Sequence, residues 1–338
     1  MKDVVNEIKQ WLAENTAVSL ATVVQTWGSA PRRVGAKMAV TANGRFCGSV
    51  SGGCVEGAVI EASQQILASG QARLLRYGVA DETAWDVGLA CGGSIEIFVQ
   101  PLDTAVYHFL YAAIQNEQAA TVITLIQGTP AQIGRTVAFD AAGGQAGTLG
   151  SPALDAQARE AAANIRQPTK MPLADDLVLF VDPIRPSPRL VMVGGVHIAQ
   201  ALAPIAQIVG FHTTLIDPRR SFANAERFAH VDRLIQAWPE KAFKEVAVTT
   251  ETAVALLTHD PKIDDPALKV VLNSSAFYIG ALGSRSTHAK RLERLRKMGF
   301  SETAVARVHA PIGLDIGATT PEQIALAVMA EIVQAYNL

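Results

Sequence analysis

The sequence predicts an α/β protein of two domains. An N-terminal α/β domain with a mixed sheet is expected over residues 1–185, and a C-terminal domain with a doubly wound parallel sheet over residues 186–338. Three observations carry this. The chain has 338 residues, more than one typical domain of roughly 100–200 residues holds. From Leu190 onward, short apolar strands alternate with helical patterns, the order of parallel strands joined by crossover helices. Between the halves, Pro183, Pro186 and Pro188 crowd together and break regular structure.

Composition narrows the class. Hydrophobic residues make up 49% of the chain and aromatics only 6%, so Ala, Val, Ile and Leu must fill the interior, as in layered α/β folds. The formal net charge of −2 lacks the basic footprint of a nucleic-acid binder. Three cysteines cannot all pair with one another, and a chain of this size needs no disulfide staples. A reducing, cytoplasmic compartment is expected. The opening MKDVVNEIKQWLAENTA carries Asp3, Glu7 and Glu14 and lacks the apolar core of a signal peptide. No apolar run reaches the length of a membrane span.

In the first domain, Val4, Val5, Ile8, Trp11 and Leu12 share one helical face to about Glu14. AVSLATVVQ reads as a strand and TWGSAPRRVG as a turn-rich loop. AKMAVT and GRFCGSV read as strands joined by the Asn43-Gly44 hairpin signal. A helix is expected from about Val55 to Ala68. IEIFVQP alternates as a strand that Pro101 stops. AVYHFLYAAIQ reads as helix, TVITLIQ and RTVAFD as strands, AAGGQ as loop, ALDAQAREAAANIRQ as helix and LVLFVDPI as strand. No internal repeat is visible. In the second domain LVMVGG, HTTLIDPR, VALLTH and FYIGALG read as strands. HIAQALAPIAQIVG (with Pro204 as a kink or restart), PALKVVLNS and STHAKRLERLRKMG read as helices. In the last helix Thr320 is the expected N-cap, Pro321 the first helical residue and Gln323 the closing member of a capping box.

Five constellations could carry chemistry. VMVGGVHIA delivers Gly194 and Gly195 to a helix N-terminus, where free N–H groups attract phosphate, and Asp217 ends the next strand near the spacing of a ribose-binding carboxylate. Val196 stands where a dinucleotide loop has its second glycine, so a nucleotide-binding loop and a merely tight turn both fit a Rossmann-like domain. Gly28-Ser29-Ala30-Pro31-Arg32-Arg33 can present N–H groups and guanidinium forks to an anion, or be a solvated loop. Ser51-Gly52-Gly53-Cys54 sets a thiol at a helix start, where the dipole stabilises a thiolate; a small buried filler fits equally well. Cys91-Gly92-Gly93 mirrors that corner before a strand. Ser284 caps the most basic helix, from Arg285 to Lys297, which is an anion site, a docking surface for an acidic partner or a solvated face. His259-Asp260 and Asp264-Asp265 follow a strand end and are weaker candidates for a polar or metal role. No GxSxG, HExxH or Walker A motif is present.

Taken together, GSAPRRVGAKM, GSVSGGCVEGAV, GLACGGSIEIFV, VGGVHIA, LIDPR, THD, YIGALGSRSTHAKR and PIGLDIGATTPEQIALAVMAEIV resemble the XdhC/CoxI family, accessory proteins that mature xanthine dehydrogenase and related molybdenum hydroxylases. The resemblance covers nearly the whole chain. It implies a maturation chaperone that binds the molybdenum cofactor, as molybdopterin or its dinucleotide form, assists its sulfuration with a cysteine desulfurase and inserts it into an apo hydroxylase subunit. It implies a Rossmann-like second domain, with His197 as the histidine after the glycine loop. Gly194-Gly195-Val196 departs from the family's more glycine-rich loop. On this reading Cys54 touches molybdenum or carries sulfur, and Gly28, Ser29, Arg32, Arg33, Ser51, Gly52, Gly53, Cys91, Gly92, Gly93, Gly194, Gly195, His197, Asp217, Ser284 and Arg285 line cofactor or nucleotide sites. A homodimer is expected, with no nucleic-acid or membrane partner, and a carrier rather than an enzyme. The competing expectation is an NAD(P)-dependent oxidoreductase that uses the second domain.

Overall fold

β-Branched and aliphatic runs set the strands of the first half. The computed structural model describes residues 1–28, 32–78, 93–174 and 176–337. It divides into two units, Met1–Pro186 and Ser187–Leu338. The first unit begins with α1 (Val5–Ala13), β1 (Val18–Trp27), β2 (Lys37–Thr41), β3 (Phe46–Gly48), α2 (Glu56–Ser69), β4 (Arg73–Tyr77) and β5 (Ser94–Pro101). It continues with α3 (Thr104–Gln115), β6 (Ala120–Gln127), β7 (Thr136–Asp140), β8 (Gln145–Gly147), α4 (Pro152–Ala162), β9 (Thr169–Ala174) and β10 (Leu177–Ile184). The expected α/β character is present, and every strand pairing described in this unit is antiparallel.

The two sheets have orders β3-β2-β1-β5-β4 and β8-β7-β6-β10-β9. The unit is therefore one αβββαββ motif built twice, which corrects the reading that no repeat exists. The copies agree in detail. The ladder between β1 and β5 shifts register between Val23 and Gln25, and the ladder between β6 and β10 shifts opposite Leu125 and Gln127. Gly48 and Gly147 both have positive φ, and a Cβ on either would come within 2.3 Å of the Lys37 carbonyl oxygen or 2.2 Å of that of Thr136. Only glycine fits there. Strands IEIFVQP (95–101) and LVLFVDP (177–183) are the clearest sequence trace of the duplication. Strands β4 and β9 lacked a legible signal, and β8 grows out of the predicted AAGGQ loop at Gln145.

Each copy buries one sheet face under its second helix. Val59 and Ile66 of α2 cover Ala21, Val23, Met38, Ile95 and Ile97; Ala158 and Ala162 of α4 cover Ile123, Leu125, Val137 and Leu179. Equivalent residues also join the copies, since Val24 and Phe98 pack with Ile126 and Phe180. Beside them lies a buried ion pair, Lys37 Nζ to Asp182 at 2.8 Å, with both side chains about 5% exposed. Lys37 also donates to Thr22 Oγ1 at 3.2 Å. The equivalent positions hold Thr136 and Gln100, joined by a neutral hydrogen bond of 3.2 Å. One of two like contacts is thus ionic and the other amide to hydroxyl.

The second unit is a six-stranded parallel sheet of order β13-β12-β11-β14-β15-β16. Its strands are β11 (Arg189–Val193), β12 (His212–Ile216), β13 (Arg233–Ile235), β14 (Thr252–Leu256), β15 (Tyr278–Ala281) and β16 (Val308–His309). Its helices are α5 (His197–Ile208), α6 (Pro239–Ala242), α7 (Pro261–Val271), α8 (Arg285–Lys297), α9 (Glu302–Val305) and α10 (Pro321–Asn337). Helices α5 and α10 cover one face, and α7 and α8 the other. This is the Rossmann order expected from the glycine loop, with the switch point between β11 and β14. Helix α5 runs unbroken through Pro204. The capping box forms, with Gln323 N–H donating to Thr320 Oγ1 and Thr320 N–H to Gln323 Oε1, both at 3.3 Å.

Breaking a buried ion pair leaves one charge uncompensated, at a typical cost of about 3–5 kcal/mol. Lys37→Met should lower stability in urea unfolding by about that amount. The double variant Lys37→Thr with Asp182→Gln, which copies the neutral contact, should recover most of it. A loss below about 1 kcal/mol for Lys37→Met would show that the pair is solvated, as surface pairs are.

Candidate functional site

The repeat gives each connection between its elements an internal reference, and three connections of the first copy depart from it. Trp27 pairs with Ser94, Tyr77 with Ile95 and Met38 with Gly48. The ends of β1, β3 and β4 and the starts of β2 and β5 therefore lie at one end of the sheet. Gln25 and Gln127 share a register, yet eleven residues separate Gln25 from Lys37 and eight separate Gln127 from Thr136. Sixteen residues, 78–93, join β4 to β5, and two, 175–176, join β9 to β10. The third loop, from Ser49 to Val55, matches 148–154 in length but not in conformation. Loops that exceed their scaffold's minimum are where binding groups concentrate.

In the second copy Ser151 caps α4 through Leu154 N–H and Pro152 opens the helix. In the first copy the equivalent residues are Gly52 and Gly53, with φ of 78° and 118°. They unwind that turn, and α2 starts only at Glu56, with Val55 at the N-cap. Cys54, expected at the helix start, stands just outside it. It is half-buried and packs at the rim of the α2 core. Among the described residues, a Cβ on Gly53 would meet nothing within 4 Å.

The unwound backbone closes on a carboxylate. Glu56 Oε1 accepts from Ser49 Oγ at 2.8 Å and from the N–H groups of Val50, Ser51 and Gly52 at 3.2, 2.9 and 3.0 Å. Oε2 accepts from Gly53 N–H at 2.9 Å and from the Ser51 hydroxyl. Burial pushes the Glu56 carboxyl up, but the bonds from Ser51, Ser49 and Gly53 outweigh it and hold it at about 2. The N–H groups of Ser51, Gly52 and Gly53 are thus engaged by Glu56, not open to a phosphate. Sequence reading placed Glu56 only as a residue of the helix. The matching Asp155, which accepts from Leu149 N–H and the Thr148 hydroxyl, was the signal that could have revealed it.

Arg32 Nε donates to the Ser49 carbonyl at 3.2 Å, so the arginine loop and the cysteine loop meet. A terminal nitrogen of Arg32 lies 3.8 Å from Asp3, and Arg33 is exposed. Gly28 has φ of 69° and follows β1 directly. Ser29, Cys91 and Gly92 lie outside the described residues; Gly93 precedes Ser94 at this same end of the sheet. Among the described residues, no three His, Cys, Asp or Glu side chains group to hold a metal.

The glycine loop of the second unit is braced from within. Gly194 has φ of 115°, and a Cβ there would lie 2.4 Å from Thr258; one on Gly195 would lie 2.6 Å from the Phe222 carbonyl oxygen. Gly195 N–H donates to Asp217 Oδ2 at 2.8 Å. Arg219 binds the same carboxylate with its side chain at 2.9 and 2.7 Å and with its own N–H at 2.9 Å. Burial pushes the Asp217 carboxyl up, but the bonds from Arg219 and Gly195 outweigh it, so it sits below the usual carboxylate range. Arg227 ties the Gly195 carbonyl to that of Phe222. His197, the first residue of α5, is exposed, as are Ser284, the N-cap of α8, and Arg285. Much of the basic α8 serves its own fold. Arg291 is buried against Asp264 at 3.5 Å, Arg294 binds Asp265, and Arg296 binds Glu302. Asp260 caps α7.

Comparison with known proteins matches two family models, the XdhC and CoxI family over residues 11–78 and the XdhC Rossmann domain over residues 190–332. The chain is 30% identical to the molybdenum cofactor insertion chaperone PaoD of Escherichia coli over 93% of its length and 81% of that protein. It is 29% identical to a probable xanthine dehydrogenase subunit of Bacillus subtilis over 96% of its length and 94% of that protein. The fold matches a crystal structure described as a xanthine dehydrogenase from Bacillus halodurans with a TM-score of 0.73 and 23% identity, covering 99% of this chain and 96% of that one.

Two outcomes follow from this geometry. The Glu56 carboxyl is depressed relative to its unfolded value, so its contribution to stability is present above about pH 4.5 and is lost as pH falls toward about 2. The stability gap between wild type and Glu56→Gln should therefore be widest near neutral pH and close across that window in denaturant titrations. A gap independent of pH would mean that Glu56 is not ionised in the nest. For the second unit, NADH titrated to millimolar concentration should give no saturable signal, because the Asp217 oxygens are already engaged. Saturable binding abolished by Asp217→Ala would show instead that Arg219 yields to a ribose.

Proposed function

The chain belongs to the XdhC and CoxI family, and from that premise we propose that it binds the molybdenum cofactor at the loop end of its first repeat and inserts it into an apo hydroxylase of the xanthine dehydrogenase type. The name of its relative PaoD supports this reading. The observation that carries it is local: Gly52 and Gly53 turn Cys54 out of the helix while Arg32 holds the neighbouring loop against Ser49. The second repeat has Ala153 and a plain capped helix at the same place, and so lacks the turned-out cysteine.

The residues present fit such a ligand. The cofactor brings sulfur ligands for its own metal, so no protein metal cluster is required. No described residue crowds Gly53, Arg33 is exposed for the phosphate, and Arg32 bonds the Ser49 carbonyl beside them. Bound, the cofactor supplies the molybdenum centre of the client enzyme. The chain's task is to hold it, orient it and keep Cys54 beside it. Glu56 does the orienting by pinning four backbone N–H groups, so the thiol has a fixed position. A soft sulfur at that position can contact the metal or carry sulfur as a persulfide. In this reading a cysteine desulfurase supplies the sulfur, the molecule acts in the cytoplasm as a homodimer, and the chain is a carrier.

The test is cofactor retention. Purified anaerobically with released cofactor, the wild type should hold molybdenum and pterin near one equivalent, measured by metal analysis and pterin fluorescence after oxidation. Cys54→Ala should reduce retention at least tenfold with unfolding unchanged. Wild-type protein that holds neither would end the proposal.

A further inference from the structure

At the loop end of the first sheet lies a cleft of about 260 Å³, lined by Trp27, Arg76, Tyr77, Gly78, Ser94 and Glu96 among others. Ligand pockets usually start near ~300 Å³, so this one suits a single ring system and not a whole cofactor. Trp27 is 47% exposed, a large apolar surface left open beside the candidate site. Arg76 is anchored by its inner nitrogen: Nε donates to Glu96 Oε1 at 2.8 Å, and Lys170 Nζ holds the other carboxylate oxygen at 2.8 Å. Glu96 is buried while the Arg76 side chain is 71% exposed, so the outer edge of the guanidinium faces solvent. An aromatic face beside a guanidinium fork recognises a flat ring that carries an anion.

The second repeat shows that these residues are not demanded by the fold. Arg76 pairs with Glu96 in the ladder, and the equivalent pair is Pro172 with Val178. Two residues beyond the shared Gln25 and Gln127 register, Trp27 is replaced by Thr129. The same motif therefore folds with none of the three groups.

We propose that this cleft is a binding pocket for a planar heterocycle bearing a phosphate, with Trp27 as the stacking face and Arg76 as the anion clamp. It rests on the reading that the first repeat holds the molybdenum cofactor, and it names the part of that ligand which is read. The ring is either the pterin or the base of an attached nucleotide.

Both sources can be separated by titrating the full-length apo protein with guanosine monophosphate, cytidine monophosphate and released molybdopterin, followed by tryptophan fluorescence and calorimetry. Saturable binding should fall at least tenfold in Trp27→Ala and be largely retained in Trp27→Phe, which keeps a stacking ring. Arg76→Ala should weaken the monophosphates and leave the corresponding nucleosides unchanged. Preference for a monophosphate assigns the base; binding of molybdopterin alone assigns the pterin. If no probe binds the wild type, or Trp27→Ala binds them all equally well, the pocket assignment is wrong. Metal retention separates failure of the pocket from failure of the carrier role. Wild type and Trp27→Ala retaining equal molybdenum would sink the pocket and spare the carrier role. Monophosphate binding through Trp27 in a protein that retains no molybdenum would do the reverse.

Discussion

A carboxylate at the start of a helix, reaching back to the loop that precedes it, closes the turn from β3 to α2 and again from β8 to α4. Glu56 and Asp155 hold these places, eight residues after glycines that only glycine can occupy, Gly48 and Gly147. The interaction matters twice over. It fixes the crossing of helix over sheet in both repeats, and in the first it also gathers a loop that would otherwise be loose. Asp155 takes the Leu149 N–H from the backbone; Glu56, one methylene longer, takes four N–H groups. The additional donors are free because Gly52 and Gly53 leave the helical conformation. The unwound loop and the carboxylate that gathers its N–H groups are thus one device, and Cys54 is what it displays.

Duplication explains how such a site can be tolerated. A motif that folds with short connections, as the second repeat does, accepts longer ones in its twin, because the sheet and its covering helix supply the stability. The buried Lys37–Asp182 pair breaks the equivalence of the two copies at their junction, where the neutral Thr136–Gln100 contact would serve. The second unit follows another logic. Its glycine loop looks suited to a dinucleotide, but Asp217, Arg219 and Arg227 fill it with the protein's own groups.

Much of this was legible in the residues. The helix from about Val55, the Asn43-Gly44 hairpin, the capping box at Thr320 and the alternation of strand and helix after Leu190 follow from periodicity and turn chemistry, because those signals are local, whereas the short edge strands Arg233–Ile235 and Val308–His309 gave no such signal. The repeat was not read, although IEIFVQP and LVLFVDP spell it out, because connections of unequal length throw the copies out of step. The weak strands Arg73–Tyr77 and Thr169–Ala174 lie at sheet edges, where half-exposed side chains blur alternation. The meeting of Arg32 with the cysteine loop was expected only in outline, since contact between loops depends on register and not on spacing. Trp27 and Arg76 went unnoticed for the same reason: nothing in a strand's own sequence says that its end faces a cleft.

On the proposed reading, loop conformation in the first repeat, and not the motif itself, makes the binding site. Exchanging that loop alone probes this with nothing else changed. Residues 49–55 and 148–154 have equal length, so the first can carry the sequence of the second with Glu56 left in place. Such a chimera should unfold at nearly the wild-type temperature and retain no molybdenum or pterin when loaded anaerobically. A folded chimera that retains the cofactor as well as the wild type would contradict a site built by the loop.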